Sequence, residues 1–501
     1  MDLFHNMING LSAALSAVNL GWVLLGSLLG LLLGVVSGLG PLAAMALLLP
    51  MMGFLGPLPC LILLVSVYCG SQYAAMNLRI MVPECGSAVP LVMATDGYQL
   101  ARQGRGGVAL ALASLGSGVA AWSALVVVIV FAPLLSHLAT YFESPELFSL
   151  MVLSLMGAVV FSPGSVSKAL GMILLGVLLS RVGVAEVSGM VHQTLGVSDV
   201  FNEIPLVVFL VAVFVFSGVT VQLGQPSEAR QVASAALGAL KPSREQIELV
   251  KPSVFRGAAL GALMGLLPGR GAVLASVAAH KLERHLAADE GLFGRGDLRG
   301  VSGPDAACQA GVQTSFLPML TFGIPLNAVM ALLVGAMMLK GIQPGPQVIS
   351  AHPEFFWGLL AALGVSHVIL LLANLPLMVV WSRLLTLPYR VVFPTLTLLG
   401  CVGIYALRGH VQDIYLAAGL AVAGYLFHKM RCPVGPLLMG FILGPLMESS
   451  LREALQTHGG WGVLITRPLS AGLLLAALGL VVLMIIPSVQ RPREAVFKGG
   501  E

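Results

Sequence analysis

The 501 residues are 57% hydrophobic and only 10% charged, with a formal net charge of +4 and a mean hydropathy of +0.94. Soluble domains carry roughly 25% charged residues, so this composition excludes a soluble globular protein, and the small net charge excludes a nucleic-acid surface. Segments of about 20 apolar residues, enough to cross a bilayer, recur along nearly the whole chain; the fold class read from them is an all-α polytopic membrane protein with about 11–12 transmembrane helices.

The N-terminus lacks the basic region and cleavage site of a secretory signal, so the first apolar segment, around 20–36, is expected to stay as a helix. It breaks on a glycine-rich knot, Gly34-Val-Val-Ser-Gly-Leu-Gly-Pro41. A second break follows at Pro83-Glu-Cys-Gly-Ser-Ala88. Asp96, in Asp96-Gly-Tyr-Gln-Leu-Ala-Arg102, reads as a cap at a helix start, with a functional intramembrane carboxylate as the other reading. The polar stretch 222–256 carries Arg230, Lys241, Arg244, Lys251 and Arg256 and is expected on the cytoplasmic side. It divides one integral membrane domain into halves, 1–240 and 241–501. The second half opens on another knot, Gly265-Leu-Leu-Pro-Gly-Arg-Gly-Ala272, followed by a charged segment, 280–304, and a break at Thr321-Phe-Gly-Ile-Pro-Leu-Asn327. The last apolar segment, 468–486, is followed by Arg491, Arg493 and Lys498, which predicts a cytoplasmic C-terminus.

The breaks form two matched pairs. Gly38 and Gly269 lie 231 residues apart; Gln72 and Gln309, and Gly86 and Gly323, lie 237 apart. Two repeat copies follow, about 21–115 and 255–346. Copy two carries Lys281, Arg284, Arg295 and Arg299 after its knot helix, where copy one (50–60) has no charge; copy one later has Arg102 and Arg105, where copy two has only Lys340. The basic side switches, which predicts inverted repeats. Non-helical backbone at membrane depth is tolerated where protein buries it or where it lines a wet cavity. Glycine lets a ligand approach the backbone, a half-helix N-terminus suits an anion, and the opposite half-helix end suits a cation. The expected substrate-binding residues are therefore Ser37, Gly38, Gly40, Gly86, Ser87, Pro268, Gly269, Gly271, Gly323, Pro325 and Asn327. Gln72, Glu84, Gln309 and Thr321 are expected to line the site or hold a coupling ion. Arg270 can pair with an anionic substrate or snorkel to the interface.

Enzyme readings find little support. Gly300-Val-Ser-Gly303 and Gly294-Arg-Gly-Asp297 have the forms used by intramembrane proteases, but both are expected in the charged segment outside a membrane helix, and such short motifs arise by chance. The six scattered cysteines form no CxxC pair, so no disulfide framework or metal centre is expected. No cofactor is expected, and no metal beyond a Na⁺ coupling ion.

In order along the chain, several blocks resemble the large membrane subunit of the tripartite tricarboxylate transporter family. They include Gly34–Pro50, Tyr68-Cys-Gly-Ser-Gln-Tyr73, 96–104, 256–272, Thr321-Phe-Gly-Ile-Pro325, Gly341-Ile-Gln-Pro-Gly-Pro346, Leu387-Pro-Tyr-Arg390, Pro433-Val-Gly-Pro436, Gly444-Pro-Leu-Met-Glu448 and Thr466-Arg-Pro-Leu-Ser470. The resemblance implies a secondary transporter of the bacterial inner membrane, driven by an ion gradient with Na⁺ as the expected ion. Its implied partners are a small four-span membrane subunit and a periplasmic solute-binding protein, and its substrates are organic acids. This chain departs from the family pattern at the breaks: Ser37-Gly38 stands for Pro-Gly, 83–88 for Asn-Ile-Pro-Gly-Thr-Pro, Pro304-Asp-Ala-Ala-Cys-Gln309 for Pro-Glu-Ala-Ala-Asn-Asn, and 323–327 for Gly-Ile-Pro-Gly-Ser. A non-transporting homologue acting as a sensor or scaffold is the alternative these departures leave open.

Overall fold

The computed structural model describes residues 2–35, 40–81, 91–162, 164–184, 191–192, 204–224, 240–287, 292–377, 380 and 389–485. Among them the chain is helical apart from turns and a two-residue antiparallel ladder, Gly183–Val184 with Val191–His192. In the first half run α1 (Asp2–Ala14), α2 (Ala17–Val35), α3 (Pro41–Leu48), α4 (Pro57–Met81), α5 (Leu91–Arg102), α6 (Gly106–Ala139), α7 (Ser144–Val160), α8 (Val166–Leu179) and α9 (Leu206–Leu223). The second half comprises α10 (Arg244–Met264), α11 (Gly271–Leu286), α12 (Arg299–Thr314), α13 (Phe316–Phe322), α14 (Ala328–Leu339), α15 (Pro353–Asn374), α16 (Tyr389–Arg408), α17 (Gln412–Lys429), α18 (Val434–His458) and α19 (Pro468–Ile485). Seven helices are long and apolar enough to cross a membrane: α2, α4, α6, α9, α15, α16 and α18. Shorter apolar helices accompany them, among them α3 and α14, which restart the chain after breaks.

Elements of the two halves can be compared at the offsets of 231 and 237 residues. α2 and α10 end at the knots, α3 and α11 restart after them, and α5 and α14 occupy identical positions at the 237-residue offset. The packing is reciprocal: α2 lies on α4 as α10 lies on α12, α4 packs on α15 as α12 packs on α6, and α3 meets α14 as α11 meets α5. Outside this core, α8 packs on α18 and α17 on α9.

Glycine makes the closest of these contacts. Gly26, Gly30 and Gly34 of α2 face the α4 backbone; a Cβ on Gly30 would stand 2.4 Å from the Val67 carbonyl oxygen. At an offset of 231, Gly257, Gly261 and Gly265 of α10 face α12, where Cβ atoms would stand 2.2 Å from the Gly303 and Ala307 carbonyl oxygens and 2.4 Å from that of Gly311. Small residues one turn apart let membrane helices pack backbone to backbone, where dispersion replaces the missing hydrophobic drive.

Equivalent helices run antiparallel. Arg79 of α4 meets Asp305 of α12 at 2.8 Å, and Tyr68 meets Phe316 with ring centroids 6.1 Å apart. In α6 and α15, Asn374 donates to Ser114 at 2.9 Å, and Gly364 lies against Trp122. Two clasps repeat the pattern: Lys340, after α14, donates to the carbonyls of Met52, Gly53 and Leu55 beyond α3, while its counterpart Gln103, after α5, donates to Arg295 beyond α11.

Candidate functional site

In copy two, α10 stops at Met264 and α11 restarts at Gly271. Between them Gly269 has φ +87°, a left-handed conformation that favours glycine. Its N–H donates to the Leu326 carbonyl at 2.6 Å, so the knot and the second break are joined backbone to backbone. α7 buttresses both. Gly157 takes the Pro268 ring so closely that a Cβ there would stand 2.0 Å from Pro268 Cγ, and Ser154 Oγ donates to the Pro325 carbonyl at 2.9 Å. Serine thus satisfies a carbonyl that the broken helix leaves without a helical donor. Gly271 lies under Met264, whose carbonyl oxygen would stand 2.2 Å from a Cβ.

At the second break Gly323 ends α13 in the left-handed conformation, φ +72°, against the Pro344 carbonyl. Asn327 begins α14 as its N-cap: Oδ1 accepts the Met330 N–H at 2.9 Å, which leaves its amide N–H groups for a ligand. Thr321 is fully buried and donates to Leu317 of its own helix at 2.8 Å. The structure therefore brings Pro268, Gly269, Gly271, Pro325 and Asn327 together, and gives Asn327 and Thr321 local structural bonds as well. Arg270, half-buried at the N-cap of α11, makes no ion pair among the described residues.

Gln72 and Gln309 sit on the facing helices α4 and α12, near their crossing. Gln309 is 2% exposed, and its Oε1 has no hydrogen-bond partner among the described residues. In copy one, Gly40 is exposed at the N-cap of α3 with Pro41 at the first helical position, and α3 packs on α14. Ser37, Gly38, Glu84, Gly86 and Ser87 lie outside the described residues.

Two expectations need correction. Asp96 does not cap a helix; it lies in the middle of α5, which begins at Leu91, and is fully buried. Its Oδ1 accepts N–H groups from Gly294, Gly296 and Asp297 at 2.7, 3.0 and 3.2 Å, and its Oδ2 lies 3.2 Å from His280 Nε2. The positive φ of Gly294 and Gly296 turns successive N–H groups inward, forming a nest around the carboxylate. Ser302 does not sit in the charged loop but in the first turn of α12, buried, with no hydroxyl partner among the described residues, while Asp297 is engaged by Arg299 at 2.7 Å.

Sequence reasoning also missed a buried polar layer where α4, α6, α12 and α15 meet. Ser66 bonds Ser366 at 2.8 Å, Asn77 donates to Asn374 at 2.7 Å, and the Gln313 amide lies 2.8 Å from His367 Nε2. These residues are scattered singly along apolar helices, so no local pattern marks them.

The tripartite tricarboxylate transporter TctA family matches residues 20–439. An uncharacterized 52.8 kDa protein in the TAR-I ttuC′ 3′ region of Agrobacterium vitis is 40% identical over 498 residues, covering 99% of each chain. An uncharacterized protein in the TAR-II ttuC′ 3′ region of the same organism is 42% identical over 238 residues, covering 47% of this chain and 98% of its own length. No solved structure matches.

Proposed function

Since the chain belongs to the tripartite tricarboxylate transporter TctA family, we propose that it is the large membrane subunit of an ion-driven carrier importing an organic acid of the carboxylate class. The protein is a multi-pass membrane protein and a transport component. The finer reading places it in a bacterial inner membrane with its C-terminus cytoplasmic. It works with a small four-span subunit and takes its substrate from a periplasmic binding protein. Na⁺ is the coupling ion that the family resemblance implies.

One observation carries the substrate class. The two breaks of copy two are hydrogen-bonded through Gly269 and Leu326, and the next residue, Arg270 at the N-cap of α11, has no ion pair among the described residues. A helix N-terminus and an unpaired arginine together attract a carboxylate. The arrangement of the copies supports alternating access. A two-fold axis along the helices would leave equivalent helices parallel, whereas α4 with α12 and α6 with α15 run antiparallel. That favours copies inverted across the membrane, with the substrate bound between their tips.

The test is uptake of ¹⁴C-labelled citrate and a panel of other di- and tricarboxylates into proteoliposomes holding the complete complex. The expected result is uptake that needs both an inward Na⁺ gradient and the binding protein. No uptake of any acid by an intact complex overturns the carrier reading in favour of a sensor or scaffold.

A further inference from the structure

The buried ion pair at the centre of the repeat is a place where the molecule supplies its own control. Arg79 and Asp305 are 5% and 1% exposed and lie 2.8 Å apart; Ser117 of α6 donates its hydroxyl to the other carboxylate oxygen. An offset of 237 residues carries Arg79 onto Phe316 and carries Tyr68 onto Asp305. The ion pair and the Tyr68–Phe316 ring contact therefore join offset-matched positions, one between α4 and α12 and the other between α4 and α13. One side uses two charges; the other uses two aromatic rings that are equally buried, at 3% and 0% exposure. The crossing does not need charge to pack. A buried ion pair can often be replaced by well-packed apolar groups without loss of stability, so packing does not account for this one. Ionisable side chains inside membrane helices mark ion and proton pathways.

We propose that Asp305 is a proton-binding site of the transport cycle, taking up a proton in addition to any cation held at the breaks. This rests on the carrier reading above. The step forms one O–H bond on the carboxylate. It loosens the Arg79 guanidinium from Asp305 and adds one positive charge to the core, matching the negative charge that a carboxylate substrate brings; the proton leaves on the other side as the pair closes again. Gln309, one helical turn along the same face of α12, holds an amide oxygen without a partner among the described residues, which accepts the loosened guanidinium. A metal ion does not suit the place. Arg79 and Ser117 already occupy both carboxylate oxygens, and a second cation would face the guanidinium.

Among the described residues, four side chains are placed against Asp305. α4 presents Arg79 and Tyr73, α6 presents Ser117, and α12 itself carries Cys308. Two turns along, Gln313 links to His367 of α15. No second carboxylate interacts with Asp305 among the described residues.

The test transplants the aromatic contact onto the charged side, as Arg79→Phe with Asp305→Tyr. Infrared difference spectra of the purified full-length protein in lipid, titrated from alkaline to acidic pH, should show a protonated carboxylic-acid band that this double variant lacks. In proteoliposomes of the complete complex, ¹⁴C-citrate (or the acid of the panel taken up fastest) should enter together with protons, read by an internal pH dye. The double variant should insert with an unchanged thermal midpoint but lose both proton entry and accumulation against a gradient. The proposal is overturned if the wild type shows no such band or moves no protons with its substrate, or if the double variant accumulates substrate like the wild type. A double variant that fails to fold also counts against it, because the crossing would then need its charges. If no acid is taken up at all, the carrier reading fails, while the infrared spectra still decide whether Asp305 binds a proton.

Discussion

The glycine ladder of α10 makes a quantitative claim that a single methyl group can test. In Gly261→Ala the new Cβ would stand 2.2 Å from the Ala307 carbonyl oxygen and 2.9 Å from its carbonyl carbon and Cα. A carbon meets a carbonyl oxygen at about 3.3 Å or more, so α10 and α12 must separate by roughly 1 Å. A gap of that size forfeits about a quarter to a half of each dispersion contact along the interface, and overpacking of this kind costs about 1–3 kcal/mol. Alanine returns up to about 1 kcal/mol of helix propensity, leaving a net loss of about 0–2 kcal/mol against the wild type but the full steric cost of about 1–3 kcal/mol against an alanine that meets nothing. Gly419→Ala is the matched control, since Gly419 lies exposed on α17 with nothing within 4 Å of its Cβ position. Both variants are heated in detergent and the surviving monodisperse fraction is read by fluorescence-detected gel filtration. Gly261→Ala should melt below the wild type and Gly419→Ala at or above it. A Gly261→Ala midpoint equal to that of Gly419→Ala would refute the backbone-contact argument.

Two further outcomes are expected. Gly269→Val places a β-branched residue at φ +87°, a strain of about 1–2 kcal/mol, with its Cβ 2.9 Å from that of Phe161; the protein should reach the membrane at the wild-type level, and uptake should be lost, which a radiolabelled uptake assay beside a membrane immunoblot would check. Asp96→Ala strips the shared acceptor from three N–H groups and should cost about 3 kcal/mol or more, whereas Asp96→Asn keeps an acceptor oxygen and should cost less; thermal midpoints in the order wild type, Asn, Ala are expected, and an Ala variant as stable as the wild type would show the nest to be idle.

Much of this architecture is legible because glycine and proline mark backbone events. The knots at 34–41 and 265–272 announce helix ends, and the structure breaks α10 from α11 there. The 237-residue offset read from Gln72 and Gln309 also places α5 against α14 to the residue. What stayed hidden depends on partners distant in sequence. Asp96 resembles a cap because a carboxylate before an amphipathic stretch usually is one; its partners lie some 200 residues on, and besides His280 they are backbone N–H groups with no side-chain signature. Ser154 and Gly157 are ordinary small residues in an apolar helix until Pro325 and Pro268 are laid against them. The glycine ladder was in plain view at one-turn spacing, but glycine is common in membrane helices, and the 231-residue match of its rungs acquires meaning from the backbone contacts.

The two clasps show how the copies have diverged around a shared plan. After α14, Lys340 holds three carbonyls of the chain that follows α3. After α5, Gln103 holds one carbonyl of the chain that follows α11, and Asp96 adds the nest of three N–H groups and His280 of α11. The chain after α3 is thus held through its carbonyl oxygens by a cation, and the chain after α11 chiefly through its N–H groups by a carboxylate, although the offset of 237 carries Asp96 onto Leu333 and not onto Lys340.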